Sequence, residues 1–395
     1  MARILFSALS ARRGGGLTYI RNVVGAFPAG AGKRLSILSP NPIDGLPVRP
    51  EIEWIRAPAW TERPIPRFLF GPLYFRFLWP RRHRFDAVYY AGGSFDINLP
   101  RHVKTVVAFR NMLPFDHEAR RRYEPGWIRF RNWLLEFVQG RAFRRADLVI
   151  FISEHARRVI DSAVPNRRGR SVVIPHGVAR TVAPLDPAIA ARLPERFVLY
   201  LSIIDAYKAQ VELVEAWAEL RRARPDMAEK LVLVGPEYPP YAKRVREAIR
   251  RNRLEGRVIL LGPVRHDQIF DLTERAMLNL FMSSCENCPN ILLELMRAGR
   301  PLLVSSRQPM PEFGGPELEY VDPYDVPAIA AALSRLIDDP DLLKRLGEAA
   351  ERRSRRFSWD KAGSATWQAI LSLADGRQAR ETADSEAMSL SSNSA

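Results

Sequence analysis

Short apolar runs alternate with amphipathic stretches along nearly the whole chain, the pattern of a parallel α/β protein. In the first half, runs at 3–9, 35–39, 52–56, 87–90, 105–109 and 148–152 predict strands, with helices filling the gaps. The stretch VVIPHGVARTVAPLDPAIAARLPERF then gathers Pro175, Pro184, Pro187 and Pro194, which predicts a linker. Beyond it a second series begins. Strands FVLYLS, LVLVGP, VILLGP, LNLFMSS and PLLVSS alternate with helices VELVEAWAELRRA, YAKRVREAIRR, DQIFDLTERA and PNILLELMRAG. Units of this length predict a doubly wound parallel sheet, whose ligand sits beyond the carboxyl ends of the strands. Helices at 326–337 and 341–352 follow, then FSWDKAGSATWQAILSLA and a polar, Ser-rich end that predicts a disordered tail. The domains expected are 1–185 and 186–355, a helix at 356–375 returning toward the first domain, and the tail 376–395.

Composition narrows the class. A chain of 395 residues suits two cores better than one. With 47% hydrophobic and 26% charged residues and no apolar run near the ~20 needed to cross a bilayer, a soluble globular protein is expected. The opening MARILFSALSARRGGG does not read as a signal peptide, so the expected location is cytoplasmic. Sixty Lys and Arg against 44 Asp and Glu, with an isoelectric point near 10.3, call for an anionic partner: nucleic acid, a phosphate-rich substrate or an acidic membrane surface.

Candidate chemistry concentrates in SSCENCPNILLELMRAGRP, residues 283–301, which holds both cysteines of the chain. Cys285-x-x-Cys288 fits a redox turn or half a zinc site. A thioredoxin-like fold is much shorter than this series, and no second Cys pair exists to complete a zinc site. His266, the nearest histidine, pairs with nothing at ligand spacing. The acids say more. Pro289 suits the first turn of a helix, and Ile291, Leu292, Leu295 and Met296 make an apolar stripe toward the sheet. Glu294 lies off that stripe beside Asn290, and Glu286 falls in the turn before it. The helix N-terminus between them favours an anion such as a diphosphate. Carboxylates would repel that phosphate, so both are assigned to hydroxyls. Two solvated surface glutamates are the plain alternative.

The spacing Glu286-x7-Glu294 resembles the E-x7-E pattern of the retaining family 4 glycosyltransferases of GT-B fold. LSARRGGGLTYIRNVV, ADLVIFISEHARRVI, VVIPHGV, LYLSIIDAYKAQVELVEAW, LVLVGP, VILLGPV and FSWDKAG match that family in order. The resemblance implies two Rossmann-like doubly wound domains facing a cleft. It implies transfer of a hexose from a UDP- or GDP-sugar to a glycan or lipid-linked acceptor in cell-envelope polysaccharide synthesis, with no cofactor and no metal. By position, Glu294 would bind ribose hydroxyls, Glu286 donor-sugar hydroxyls, and Lys208 the diphosphate; a lysine is a suitable mobile point charge. Pro263 and Val264 would read the base with their backbone, while Asn287, Pro289 and Asn290 complete the donor turn. Gly14, Gly15 and Gly16 match the Gly-rich loop that lets the backbone approach phosphate or sugar.

Two departures stand out. The Gly-Arg that relatives carry before the lysine is replaced by LYLSIIDAYK, removing one phosphate cation. The His-Asp of a first-domain strand end is replaced by Arg110 and Asn111 in VVAFRNMLPFD, and Arg110 is the candidate substitute charge. The segment 63–85, RPIPRFLFGPLYFRFLWPRRHRF, mixes arginines and aromatics without an acid, which suits either an anionic membrane surface, with arginine stems snorkelling, or a core helix with a basic face. Residues 119–147 add similar composition. A non-catalytic GT-B subunit is the alternative function. A nucleic-acid partner is not expected, since no nucleic-acid-reading motif accompanies the charge, and RRGGGLTY lacks the G-x-G-x-x-G spacing of a dehydrogenase.

Overall fold

The computed structural model of the protein describes residues 2–10, 15–30, 32–77, 85–95, 102–180 and 183–374. Gly14 and the 376–395 tail therefore lie outside the described residues. The chain divides into two compact units: Met1–Asn111 with Leu134–His176 and Trp359–Ala395, and Met112–Trp133 with Gly177–Ser358.

In the first unit, β1 (Ala2–Ser7), β2 (Lys33–Ser39), β3 (Ile52–Arg56), β4 (Ala87–Tyr90), β5 (Lys104–Phe109), β6 (Leu148–Phe151) and β7 (Arg170–Val173) form one parallel sheet. Their order is β3-β2-β1-β4-β5-β6-β7. AVYY of β4 and LVIF of β6 are buried at every position, as strands covered on both faces must be. The helix Trp359–Ala374 packs on the helix Gly15–Gly25, where Trp367 is buried against Phe27 and donates its indole N–H to the Val23 carbonyl at 2.6 Å. A buried indole of that size contributes about 2–3 kcal/mol of apolar transfer and still needs its N–H paired.

The second unit carries β8 (Phe197–Leu201), β9 (Lys230–Val234), β10 (Val258–Gly262), β11 (Leu278–Phe281), β12 (Leu302–Ser305) and β13 (Glu319–Val321), all parallel, in the order β10-β9-β8-β11-β12-β13. Alternation survives inside the continuous apolar runs. Val198 and Tyr200 join the core with Leu213 and Trp217, while Phe197, Leu199 and Leu201 face the opposite core with Ile269 and Leu272. One strand thus feeds two hydrophobic layers. Asp325 and Asp339 cap the helices Val326–Asp338 and Pro340–Ser354, each with Pro in the first turn. Order reverses between β8 and β11, so the sheet's switch point lies there. At the end of β9, Gly235 has φ +145° and a Cβ would stand 2.2 Å from the Ser202 carbonyl oxygen, so only glycine fits this approach to the β8 loop.

Several expectations are corrected. RSVV, whose last two residues open the expected linker stretch, is the edge strand β7, and EYV forms β13; both runs are too short to stand out by pattern. The Pro-rich stretch is packed down: Leu185 is buried, its N–H bonds Asp271 at 2.6 Å, and Pro187–Ala190 is helical. Pro289 is the N-cap at ψ 79°, with the helix running Asn290–Arg297, because the Asn290 N–H turns back to the Cys288 carbonyl. Within 63–85, Arg67 does not snorkel; it is buried, donating to the Leu9 carbonyl at 2.6 Å, while Leu69, Phe70 and Leu73 are exposed on the helix Pro64–Phe77, and 78–84 fall outside the described residues. No helix among the described residues is long and apolar enough to cross a membrane.

Candidate functional site

The loops after β8 and β11 leave neighbouring strands at the switch point and bring Lys208 and Glu286 together as a salt bridge. Lys208 is only 7% exposed, so it is neither a surface lysine nor a free mobile charge. Its ammonium lies 4.8 Å from the Tyr207 ring and 5.5 Å from the Phe281 ring. Burial lowers its pKa, but Glu286 outweighs burial and holds the ammonium above the usual lysine value. Glu286, expected on hydroxyls, is thus paired with Lys208.

The β8 loop is held at several points. The Tyr200 hydroxyl donates to the Lys208 carbonyl at 2.8 Å, Gln210 donates to the Ile203 carbonyl at 2.9 Å, and Ala209 sits in the left-handed region at φ 53°. A non-glycine residue there is uncommon, and such strain gathers at sites that the surroundings over-determine. Ser284 ties the β11 loop to it, bonding the Tyr207 carbonyl through its N–H at 2.8 Å and its hydroxyl at 3.1 Å; the Tyr324 hydroxyl donates to Ser284 in turn.

At the helix Asn290–Arg297, Glu294 Oε1 meets His266 Nε2 at 2.9 Å, while Oε2 is buried and has no hydrogen-bond partner among the described residues. An open carboxylate oxygen kept from solvent costs about 1–3 kcal/mol or more, which a hydroxyl donor would recover. The hydrogen bond to Glu294 raises the His266 pKa above its ordinary 6.5, with burial opposing. Its N-cap residue, Pro289, makes no side-chain capping bond. Asn287 and Pro289 are buried beside it and Asn290 is half-buried. Pro263 is exposed after β10, and Val264 packs with Ile291 on the core. Sequence reasoning missed His266: zinc spacing was the wrong test, and its place four residues after the end of β10 carried no signal of Glu294.

Also unforeseen is the segment Met112–Trp133, which belongs to this unit. Arg122 pairs with Glu212 at 3.2 Å and covers the Tyr324 ring, while burial, helped by Asp205 of the β8 loop and by Asp116 respectively, raises the pKa of Tyr123 and of the Cys285 thiol in the β11 loop. A piece of the first half of the chain thereby lies against both loops that carry Lys208 and Glu286. Cys285 is not incidental, then, but neither is it reactive. Both cysteines are buried and unbridged, and burial, followed by Asp116 and Glu286, pushes the Cys285 thiol well above its ordinary value, opposite to an attacking thiolate. Among the described residues no group of three or more His, Cys, Asp or Glu is placed to hold a metal. A cavity of about 450 Å³ opens at the amino ends of β8, β11 and β12, lined by Phe197, Met277 and Pro301; it is at the wrong end of the strands for a doubly wound sheet's ligand.

In the first unit, Gly15 and Gly16 are not a loop but the opening residues of the helix Gly15–Gly25. Arg110 follows β5, donating its Nε–H to the Ala91 carbonyl at 2.8 Å with its guanidinium 4.5 Å over the Tyr19 ring. Tyr19 and Tyr89 share a hydroxyl–hydroxyl bond, and His176 stacks on Trp359 at 5.2 Å. Gly92, after β4, meets the β1 loop so closely that a Cβ would lie 1.6 Å from Ser10 Oγ. Asn111 is exposed. Arg110 and Tyr19 are therefore brought together, whereas the structure gives Asn111 no partner role.

Two doubly wound parallel sheets, one with a lysine–carboxylate pair and a helix with Pro289 at its N-cap at its switch point, define the GT-B architecture of sugar transferases. Residues 185–353 match the family described as Glycosyl transferases group 1, and residues 13–181 match Glycosyltransferase Family 4. The chain belongs to the family 4 glycosyltransferases of GT-B fold. It is 31% identical over 213 residues to a D-inositol 3-phosphate glycosyltransferase of Streptomyces avermitilis, covering 50% of this chain and 46% of that one. It is 28% identical to the alpha-D-kanosaminyltransferase of Streptomyces kanamyceticus over 58% of this chain and 61% of the relative. The chain thus spans about half of the length of these relatives. Among solved structures, sucrose-phosphate synthase from Thermosynechococcus elongatus superposes with a TM-score of 0.73 at 20% identity, over 95% of this chain and all of that one (100%). HepE of Anabaena, solved with UDP and glucose, gives 0.66 at 18% identity, over 94% and 100%. At these identities the likeness is one of fold.

Proposed function

We propose that the chain is a retaining, metal-independent hexosyltransferase that moves a hexose from a UDP- or GDP-sugar to a glycan or lipid-linked acceptor in envelope polysaccharide synthesis, at the cytoplasmic face of a membrane. The observation that carries this reading is Glu294 in the helix Asn290–Arg297, whose buried Oε2 has no hydrogen-bond partner among the described residues, in the same unit as the Lys208–Glu286 pair. A ribose hydroxyl supplies the missing donor, and the helix N-terminus suits the adjoining diphosphate. HepE was solved with UDP, in keeping with such a ligand.

Negative charge builds on the departing diphosphate as the sugar takes on oxocarbenium character, so stabilising that phosphate is the main catalytic task. Lys208 has a partner to exchange. When the donor arrives, its ammonium passes from Glu286 to the phosphate, and Glu286 is freed to accept a donor-sugar hydroxyl. The stronger interaction then develops only as phosphate charge grows, which is the condition for raising kcat. Arg110 is the proposed second cation. Pro263 and Val264 would contact the base, Asn287, Pro289 and Asn290 the donor turn, and Gly14, Gly15, Gly16 and Asn111 phosphate or acceptor.

The test is slow hydrolysis of a panel of nucleotide-diphosphate sugars, with and without EDTA, followed by NMR of the released anomer. One donor is expected to be hydrolysed with retention, insensitively to EDTA, and the activity is expected to vanish in Lys208→Ala and Glu286→Ala. Donor binding without any turnover, in wild type as in the variants, would instead support a non-catalytic subunit.

A further inference from the structure

The helix Trp127–Arg145 leaves large apolar side chains in solvent: Trp127 is 65% exposed, Phe130 52%, Trp133 56% and Phe137 66%, with Leu134 beside them. At about 100° per residue, these five lie within an arc of about 120°. Arg141, Arg144 and Arg145 continue the same arc toward the helix C-terminus, exposed, while Asn132, Gln139, Ala142 and Phe143 are buried on the other side. The one acid of the helix, Glu136, falls outside the exposed arc, about a third of a turn from its centre. Four aromatics and a leucine on a single helical face are far more than the scattered exposed apolar residues of an ordinary surface.

We propose that this face lies in the surface of an anionic lipid bilayer, with its Trp and Phe rings at the headgroup–acyl boundary and Arg141, Arg144 and Arg145 on lipid phosphates. The composition fits that occupant. Trp is the side chain suited to an interface that is apolar below and wet above, and arginines at the rim add attraction to anionic headgroups. The 127–145 helix is 19 residues and its face is arginine-bearing, so it lies along a surface and does not enter the bilayer. A second copy of the chain is the poorer occupant: a two-fold contact would press like-charged arginines together, in a protein whose formal net charge is already +16. The proposal deepens the membrane part of the proposed function; its surface is separate from the donor residues, so each can fail alone.

Flotation of the full chain with phosphatidylcholine vesicles, with and without phosphatidylglycerol, tests it. Binding is expected with phosphatidylglycerol and to be weak without it. The combined variant Trp127→Ser, Phe130→Ser, Trp133→Ser, Phe137→Ser is expected to lower partitioning by about tenfold or more at unchanged melting temperature and donor hydrolysis. Arg141→Glu with Arg144→Glu and Arg145→Glu is expected to remove the preference for the anionic lipid. Failure to float with either vesicle, equal binding to both, or unaltered binding by the serine variant overturns the proposal. So does sedimentation showing that wild type dimerises through this face and the serine variant does not.

Discussion

Lys208 and Glu286 set the chemistry at the residue scale. Because the two charges are buried against each other, removing only the lysine strands a carboxylate. Lys208→Ala is expected to cost about 3–5 kcal/mol in chemical denaturation, whereas Lys208→Met with Glu286→Leu recovers most of that and stays inactive. Stability and activity would thus separate within one pair. His266 adds a pH dependence with a definite sign. Its pKa stands above 6.5 because Glu294 Oε1 holds it; on the proposed reading, a ribose hydroxyl donating to Oε2 would draw on the same carboxylate, weaken that hold and lower the pKa. Donor binding therefore releases protons, so affinity is expected to tighten as pH rises from below 6.5 through the raised value, and calorimetry in buffers of different ionisation heat would show that release. The contact's own contribution to folding runs the other way, complete below 6.5 and lost as pH rises through the raised value. His266→Ala is expected to flatten the affinity profile; an unchanged profile would place the titration elsewhere. The spacing of Glu286 and Glu294 was legible because one turn and one helix fix it locally, whereas Lys208, 78 residues before Glu286, was named only by the resemblance and meets it through the fold. His266 was not legible, since its meeting with Glu294 depends on how the loop after β10 crosses the end of the sheet.

At the scale of elements, the apolar strands were plain in the sequence, as β8 and β9 show, where every residue but Lys230 is committed to one of two cores. What pattern could not show was β7 and β13, whose RSVV and EYV are short edge strands, nor that Met112–Trp133 belongs with the second unit. The latter rests on single polar neighbours, Tyr123 with Asp205 and Asp116 with Cys285, which leave no periodicity. Their job is positional. Tyr123→Phe is expected to lower kcat by about tenfold with a smaller change in KM, because the Lys208 loop loosens without losing a ligand contact; equal effects on both, or none, would reduce the segment to packing. Gly235→Ala forces a Cβ onto the Ser202 carbonyl at a φ that side chains avoid, and is expected to destabilise the second unit by about 2–3 kcal/mol in thermal unfolding.

Across the whole molecule, one sequence pattern occurs twice, a parallel doubly wound sheet, and in the second unit the loops at the strands' carboxyl ends carry Lys208 and Glu286. The strong positive charge that first called for an anionic partner finds two candidate outlets, a phosphate at Lys208 and a lipid surface at the 127–145 helix. Charge alone could not choose between them, because it reports an average over the surface, while burial sets Lys208 apart from the exposed arginines of the long helix. The central claim is that Glu294 waits for a nucleotide ribose. Titration calorimetry of UDP-glucose and GDP-mannose against wild type and Glu294→Ala tests it most directly. The account predicts saturable binding of one donor class and at least about tenfold weaker binding by the variant, the loss expected for a charge-assisted hydrogen bond. Equal affinity in the two proteins, or no binding of either donor by wild type, would contradict it.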